Sequence, residues 1–148
     1  MRGYTAIGLH NCKDPANVGG VLRAAGCYEA DMVVLGGERS SIALSHLKTD
    51  TRKTYRHIPT LTPSDVLEAI PYKAQIVAVD LVEDAVSLCD FKHPENAFYV
   101  FGPEDGTLGN DILARAHHRV FVPTSHCMNL AATVNVVLYD RMAKARKS

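Results

Sequence analysis

Wherever an apolar, β-prone run of this sequence gives way to a turn or a helix, residues suited to chemistry collect. Asn17 and Arg23 lie in NCKDPANVGGVLRAA, Glu104 stands inside FGPEDGTLG, and Cys127, Met128 and Asn129 are consecutive in VPTSHCMNLAATVNVV. An arginine fork suits bidentate binding of phosphate. A carboxamide both donates and accepts, and the free N–H groups of a helix mouth help it to orient a ligand. A glycine-rich turn after a buried strand, with an acid held in it, suits a cofactor bound through backbone groups. Standard nucleotide signatures are absent: there is no GxGxxG and no GK[ST].

Each joint also has a plainer reading. The pair Gly19 and Gly20 serves either close backbone approach to a phosphate or ribose, or helix-to-sheet packing. Glu104 is either a site acid or a surface acid in a tight turn. Asn129 is either a ligand-orienting amide or an N-cap, and Cys127 is either exposed at the site or a small packed residue. Asn135 has no assigned partner.

The elements that carry these joints alternate. TAIGLH, DMVVLG, QIVAVD, AFYVFG and RVFVP read as strands, short and apolar throughout as in sheets buried on both faces. Helical patterns fall between them, which is the rhythm of a parallel α/β sheet with ligands bound at strand carboxyl ends. Asp14 and Pro15 open the first helix, with Val18, Val21, Leu22 and Ala25 as its stripe and Gly26 as its stop. Ser64 before Asp65 opens another. Leu130, Val134, Val137, Leu138 and Met142 share one face of the last helix. Residues 38–60 read as a long connection with about one helical turn.

At 148 residues the chain is expected to form one domain, 1–148, that buries roughly 70% of its unfolded surface. Its 47% hydrophobic and 22% charged residues are ordinary for a globular protein. No apolar run spans a bilayer and the N-terminus does not read as a signal peptide, so the expected compartment is the cytoplasm. Four scattered cysteines, without CxxC, support neither a disulfide framework nor a metal site. Formal charge is zero, which disfavours a protein that grips nucleic acid over its whole surface. Cations nevertheless cluster at Lys48, Arg52, Lys53, Arg56 and His57, and again at Arg141, Lys144, Arg146 and Lys147. The tail is either a basic footprint or a solvated helix end favoured by the dipole.

Taken in order, NxGxxxR, FGPExxG and VP…CMNLA resemble the three motifs of the SpoU-type, or TrmH-like, RNA ribose 2′-O-methyltransferases of the SPOUT superfamily, from about Ile7 to Met142. The resemblance implies an α/β/α sandwich with a C-terminal deep trefoil knot, a homodimer, and S-adenosyl-L-methionine as cofactor. Val79, Phe101, Gly102, Val122, Cys127 and Met128 then line the cofactor pocket, Met128 on the adenine side. Arg23, Asn17, Glu104 and Asn129 become the catalytic set, completed across the dimer, with Arg23 on the 2′-hydroxyl and the adjacent phosphate. The substrate is RNA, tRNA before rRNA, since the chain resembles the minimal members. Cys127 stands where the family has Ser, and a thiol donates hydrogen bonds weakly. That replacement supports a second reading, a knotted module that binds RNA or a nucleotide without catalysis.

Overall fold

The computed structural model describes residues 3–47 and 57–146. The sheet is wholly parallel. Its strands are β1 (Tyr4–His10), β2 (Met32–Gly36), β3 (Thr60–Leu61), β4 (Gln75–Val79), β5 (Val86–Ser87), β6 (Asn96–Phe101) and β7 (His118–Phe121), in the order β3-β2-β1-β6-β4-β7-β5. The described α-helices are α1 (Pro15–Cys27), α2 (Glu38–Ser45), α3 (Asn110–Arg115) and α4 (Leu130–Arg146).

Period-two alternation splits the strand residues between two faces. Ile7, Leu9, Val33, Leu35, Val77, Tyr99 and Phe101 point to the side covered by α1 and α4, where they meet Val18, Val21, Leu22, Val134, Val137 and Leu138. Ala6, Val34, Ile76, Ala78, Phe98 and Val100 point to the opposite side, against Val66, Leu108 and Ile112. Burial on both sides is why the central residues of these strands are apolar at successive positions. The expected α/β/α sandwich is therefore present.

The opening of α1 is as the sequence implied: Asp14 Oδ1 accepts from Ala16 N at 2.9 Å, and Pro15 takes the first helical position. Gly26 does not stop the helix, which runs on to Cys27. Gly20 serves packing, because a Cβ there would stand 2.7 Å from the Cβ of Ala131 on α4. Two other expectations change. SDVLEAI forms a 3-10 turn, Val66–Ala69, capped by Asp65, whose side chain accepts from Leu67 N at 2.8 Å. Ser64 is thus not the cap. The connection after β2 holds a helix of eight residues, α2, and the short strand β3. Four residues of its basic cluster, Lys48, Arg52, Lys53 and Arg56, lie outside the described residues.

The connection from β4 to β5 positions the site. Val79 at the end of β4 and Val86 in β5 both lie opposite Val120 of β7, on its two sides. Residues 80–85 therefore cross β7, a strand that arrives later in the chain. Loops are rarely crossed in this way.

Of the C-terminal cations, Arg141 and Lys144 are engaged with the body of the fold, Arg146 is exposed, and Lys147 lies outside the described residues. Arg141 is 7% exposed; its Nη1 donates to Pro94 O at 2.7 Å and Tyr99 Oη at 3.0 Å, and its Nη2 to Glu95 O at 2.7 Å. Lys144 Nζ donates to Leu88 O and Phe91 O at 2.6 and 2.8 Å. Both satisfy carbonyls of the segment leading into β6. Among the described residues no helix is long and apolar enough to cross a membrane.

Candidate active site

Strands β6, β4 and β7 are neighbours, and their carboxyl ends open into one cleft of about 690 Å³. Val79, Phe101, Gly102, Val122, Cys127 and Met128 all line it, as do Asn17, Glu104 and Asn129. Arg23 does not: it is exposed on α1, two turns beyond Asn17, and makes no hydrogen bond or ion pair among the described residues.

A hydrogen-bonded network joins the three loops. Asn129 Nδ2 donates to Asn17 Oδ1 at 2.9 Å, and Asn17 Nδ2 donates to Glu104 Oε2 at 2.9 Å. Asn129 Oδ1 accepts from Ala132 N at 3.1 Å. The plain N-cap reading of Asn129 therefore holds, and the same side chain also joins the cleft: one amide end caps α4 and the other reaches Asn17. Its orientation is fixed, because an exchange of oxygen and nitrogen would set donor against donor at Ala132.

Glu104 is the acceptor on which this network ends. Besides Asn17, the Cys12 thiol donates to Oε2 at 3.1 Å, Asp14 N to Oε2 at 3.1 Å and Lys13 N to Oε1 at 3.1 Å. Partial burial opposes ionisation, but the bonds from Asn17, Cys12 and Lys13 outweigh it and bring the carboxyl down to about 2. Burial and the neighbouring carboxylate push the Cys12 thiol up to about 12. Near neutral pH Glu104 is thus held as the anion and Cys12 as the donor. A carboxylate with so low a pKa is a poor proton acceptor, so Glu104 anchors the loops and is not the base.

Three residues that sequence reasoning passed over belong here. Cys12 carries no local signal, since its partner lies 92 positions away. Asp80 lines the cleft and its Oδ2 accepts from Leu108 N at 3.3 Å, closing the glycine turn onto β4. Leu81, 80% exposed, stands on the crossing loop and lines the cleft. A strand followed by an acid was the available sign for Asp80.

Cys127 is exposed, not packed. Asn135 has a partner within its own helix, Nδ2 donating to Ala131 O at 2.8 Å.

The cleft suits a small ligand with an apolar body and a cationic group. Its volume lies within the roughly 300–1,000 Å³ usual for small-ligand sites. Val79, Leu81, Phe121, Val122 and Met128 supply apolar surface, and Asp14, Asp80 and Glu104 supply negative charge. At Gly102 a Cβ would approach Leu108 N to 3.3 Å, so glycine lets the following loop close tightly over the strand end.

Residues 4–139 match the SpoU rRNA Methylase family. The chain belongs to that family. Its fold is also that of solved structures. The SpoU methyltransferase AviRb from Streptomyces viridochromogenes, in complex with AdoMet, aligns over 100% of this chain and 63% of its own, at TM-score 0.77 and 15% identity. AdoMet-bound rRNA methyltransferase from Sinorhizobium meliloti aligns over 97% and 57%, at 0.78 and 19%. This chain thus spans about three fifths of those proteins. A structure concerning the 2-OH methylation of C/U34 on tRNA aligns over 99% of both chains, at 0.78 and 22% identity. No curated protein matches in sequence.

Proposed function

We propose that this protein transfers a methyl group from S-adenosyl-L-methionine to a ribose 2′-hydroxyl of RNA. The observation that carries the reading is the Asn129–Asn17–Glu104 network, which ties the three family motifs into one wall of an acidic, partly apolar cleft. A relative of the same length concerned with 2-OH methylation of tRNA supports tRNA before rRNA.

When bound, the cofactor supplies an electrophilic methyl on a sulfonium. Val79, Leu81, Val122 and Met128 would hold its apolar part, with Gly102 beside them in the same lining. Asp14, Asp80 and Glu104 complement its positive charge. The chain's main contribution is placement, which can supply roughly 7–11 kcal/mol when two reactants are held in attack geometry. Asn17 and Asn129 each keep an amide hydrogen beyond the network to orient the incoming ribose. Arg23 clamps the adjacent phosphate and orients the hydroxyl; a guanidinium with pKa above about 12 is a poor base.

The crossing of β7 by residues 80–85 supports a deep trefoil knot closed by β7 and α4. The exposed Val136 and Tyr139 on α4 support a homodimer, and Arg23, outside the cleft of its own chain, is then offered to the partner's cleft.

Incubation with labelled S-adenosyl-L-methionine and bulk tRNA or rRNA from a strain lacking the protein should yield a 2′-O-methylated nucleotide on digestion. Absence of transfer to either RNA, together with no cofactor binding by calorimetry, would overturn the reading. Cys127 in place of Ser favours the alternative, a non-catalytic binding module. Arg23→Ala separates the two: a catalyst loses turnover and keeps cofactor binding.

A further inference from the structure

Two cations beside the cleft are held by a single carboxylate. Arg39, in the first turn of α2, donates from Nη1 and Nη2 to the two oxygens of Asp105, both at 2.9 Å. Lys13 Nζ lies 3.3 Å from Asp105 Oδ2. Arg39 Nη2 also donates to Asn11 O at 2.8 Å, which fixes the plane of the guanidinium, while its Nε is buried without a partner among the described residues. The trio borders the site directly: Lys13 precedes Asp14, Asp105 lies between Glu104 and Gly106, and those three neighbours line the cleft.

A fork that grips a carboxylate in two bonds is equally suited to a phosphate. The side chains of Lys13, Arg39 and Asp105 are 51%, 36% and 42% exposed, and pairs so open to water contribute little to stability. Exchange of one anion for another is therefore cheap. The need for cations here is also electrostatic, since Asp14, Asp80 and Glu104 make the cleft repel a polyanion. Arg141 and Lys144 do not meet that need, being engaged with carbonyls before β6.

We propose that Lys13 and Arg39 form a phosphodiester-binding pair at the rim of the cleft, held by Asp105 as a built-in anion that an RNA phosphate displaces. The inference rests on RNA being the substrate. It adds a second phosphate contact to the one assigned to Arg23, on a different loop. Displacement frees Asp105, while Glu104 stays anchored by its own donors.

The test is binding of bulk tRNA by fluorescence anisotropy over a range of salt concentrations, with calorimetry of S-adenosyl-L-methionine and a thermal melt on every variant. Arg39→Ala and Lys13→Ala should weaken tRNA binding and each flatten the log–log salt slope by about one unit. Asp105→Asn, which keeps both cations and removes their anion, should tighten it, with cofactor binding unchanged. If the trio only braces the loop, Asp105→Asn and Arg39→Ala will weaken cofactor binding alike and leave the slope unchanged, which overturns the pair. Methyl transfer to RNA with an unchanged slope overturns the pair alone. Absence of both transfer and tRNA binding overturns the proposed function with it.

Discussion

At the scale of single residues, the site is organised around an acceptor, not a base. Glu104 takes three donors from the loop before α1 and a fourth from Asn17 on α1, so Glu104→Gln sets an amide NH₂ among N–H groups and a thiol. Loss of a charged hydrogen-bond partner costs about 1.5–3 kcal/mol, and single-turnover methyl transfer should fall roughly 10- to 100-fold. Because folding lowers the pKa of this carboxyl to about 2, its stabilisation is complete above the unfolded value of about 4.3 and is lost as pH falls through 2. Melts of wild type and Glu104→Gln should converge over that window. Cys12 gives a second check. Buried and held as the thiol, it should react with a thiol reagent only on denaturation, whereas the exposed Cys27, Cys89 and Cys127 react in the native protein. The motif residues were legible because each sits beside a local signal: a glycine pair, a glycine turn, a helix mouth. Cys12 was not, since nothing near it marks an acid 92 positions away.

At the scale of elements, α4 is clasped to the segment before β6 by a buried polar chain. Arg141 donates to Tyr99 Oη; Tyr99 Oη lies 2.7 Å from His93 Nδ1, and His93 Nε2 lies 2.7 Å from Asp140 Oδ2. Neutral His93 protonated on Nε2 satisfies every member, with Tyr99 donating to Nδ1. Burial keeps that form, lowering the His93 pKa despite Asp140. The depressed value makes its contribution present above about 6.5 and lost as pH falls below it. Stability should decline from pH 7 towards 5, and His93→Gln should flatten that decline in urea titrations. Tyr99→Phe takes the donor from His93 Nδ1 and one of several acceptors from Arg141, and should cost about 1–3 kcal/mol by the same measurement. Strand positions and the alternation of faces were readable from apolar runs. The role of Arg141 was not, because its partners lie 42 to 47 positions upstream. The 3-10 turn was misread because Ser64 and Asp65 are both good caps, and only the approach of Val66 to the sheet decides which is used.

At the scale of the molecule, one chain holds the cleft but not Arg23 beside it. The outward side of α4 carries Val136 and Tyr139, 37% and 57% exposed, while α1, with Arg23, packs against the same helix. In the proposed homodimer the contact through α4 would be reciprocal, so that if Arg23 of one chain serves the other's cleft, the reverse holds as well. Tyr139→Asp should then shift light scattering from dimer to monomer and abolish transfer, although it alters neither cleft. The direction of sharing has its own test. Arg23→Ala leaves the cleft whole, and Gly102→Val, whose Cβ would crowd Leu108 N at 3.3 Å, displaces the loop that lines the cleft and leaves Arg23. Each variant alone should be inactive. Mixed in equal amounts after co-expression, half of the dimers carry both variants, and each of these rebuilds one of its two sites only if Arg23 acts across the interface. Recovery of roughly a quarter of wild-type transfer is the expected result; no recovery, with heterodimers verified by mass spectrometry, would place Arg23 in service of its own chain.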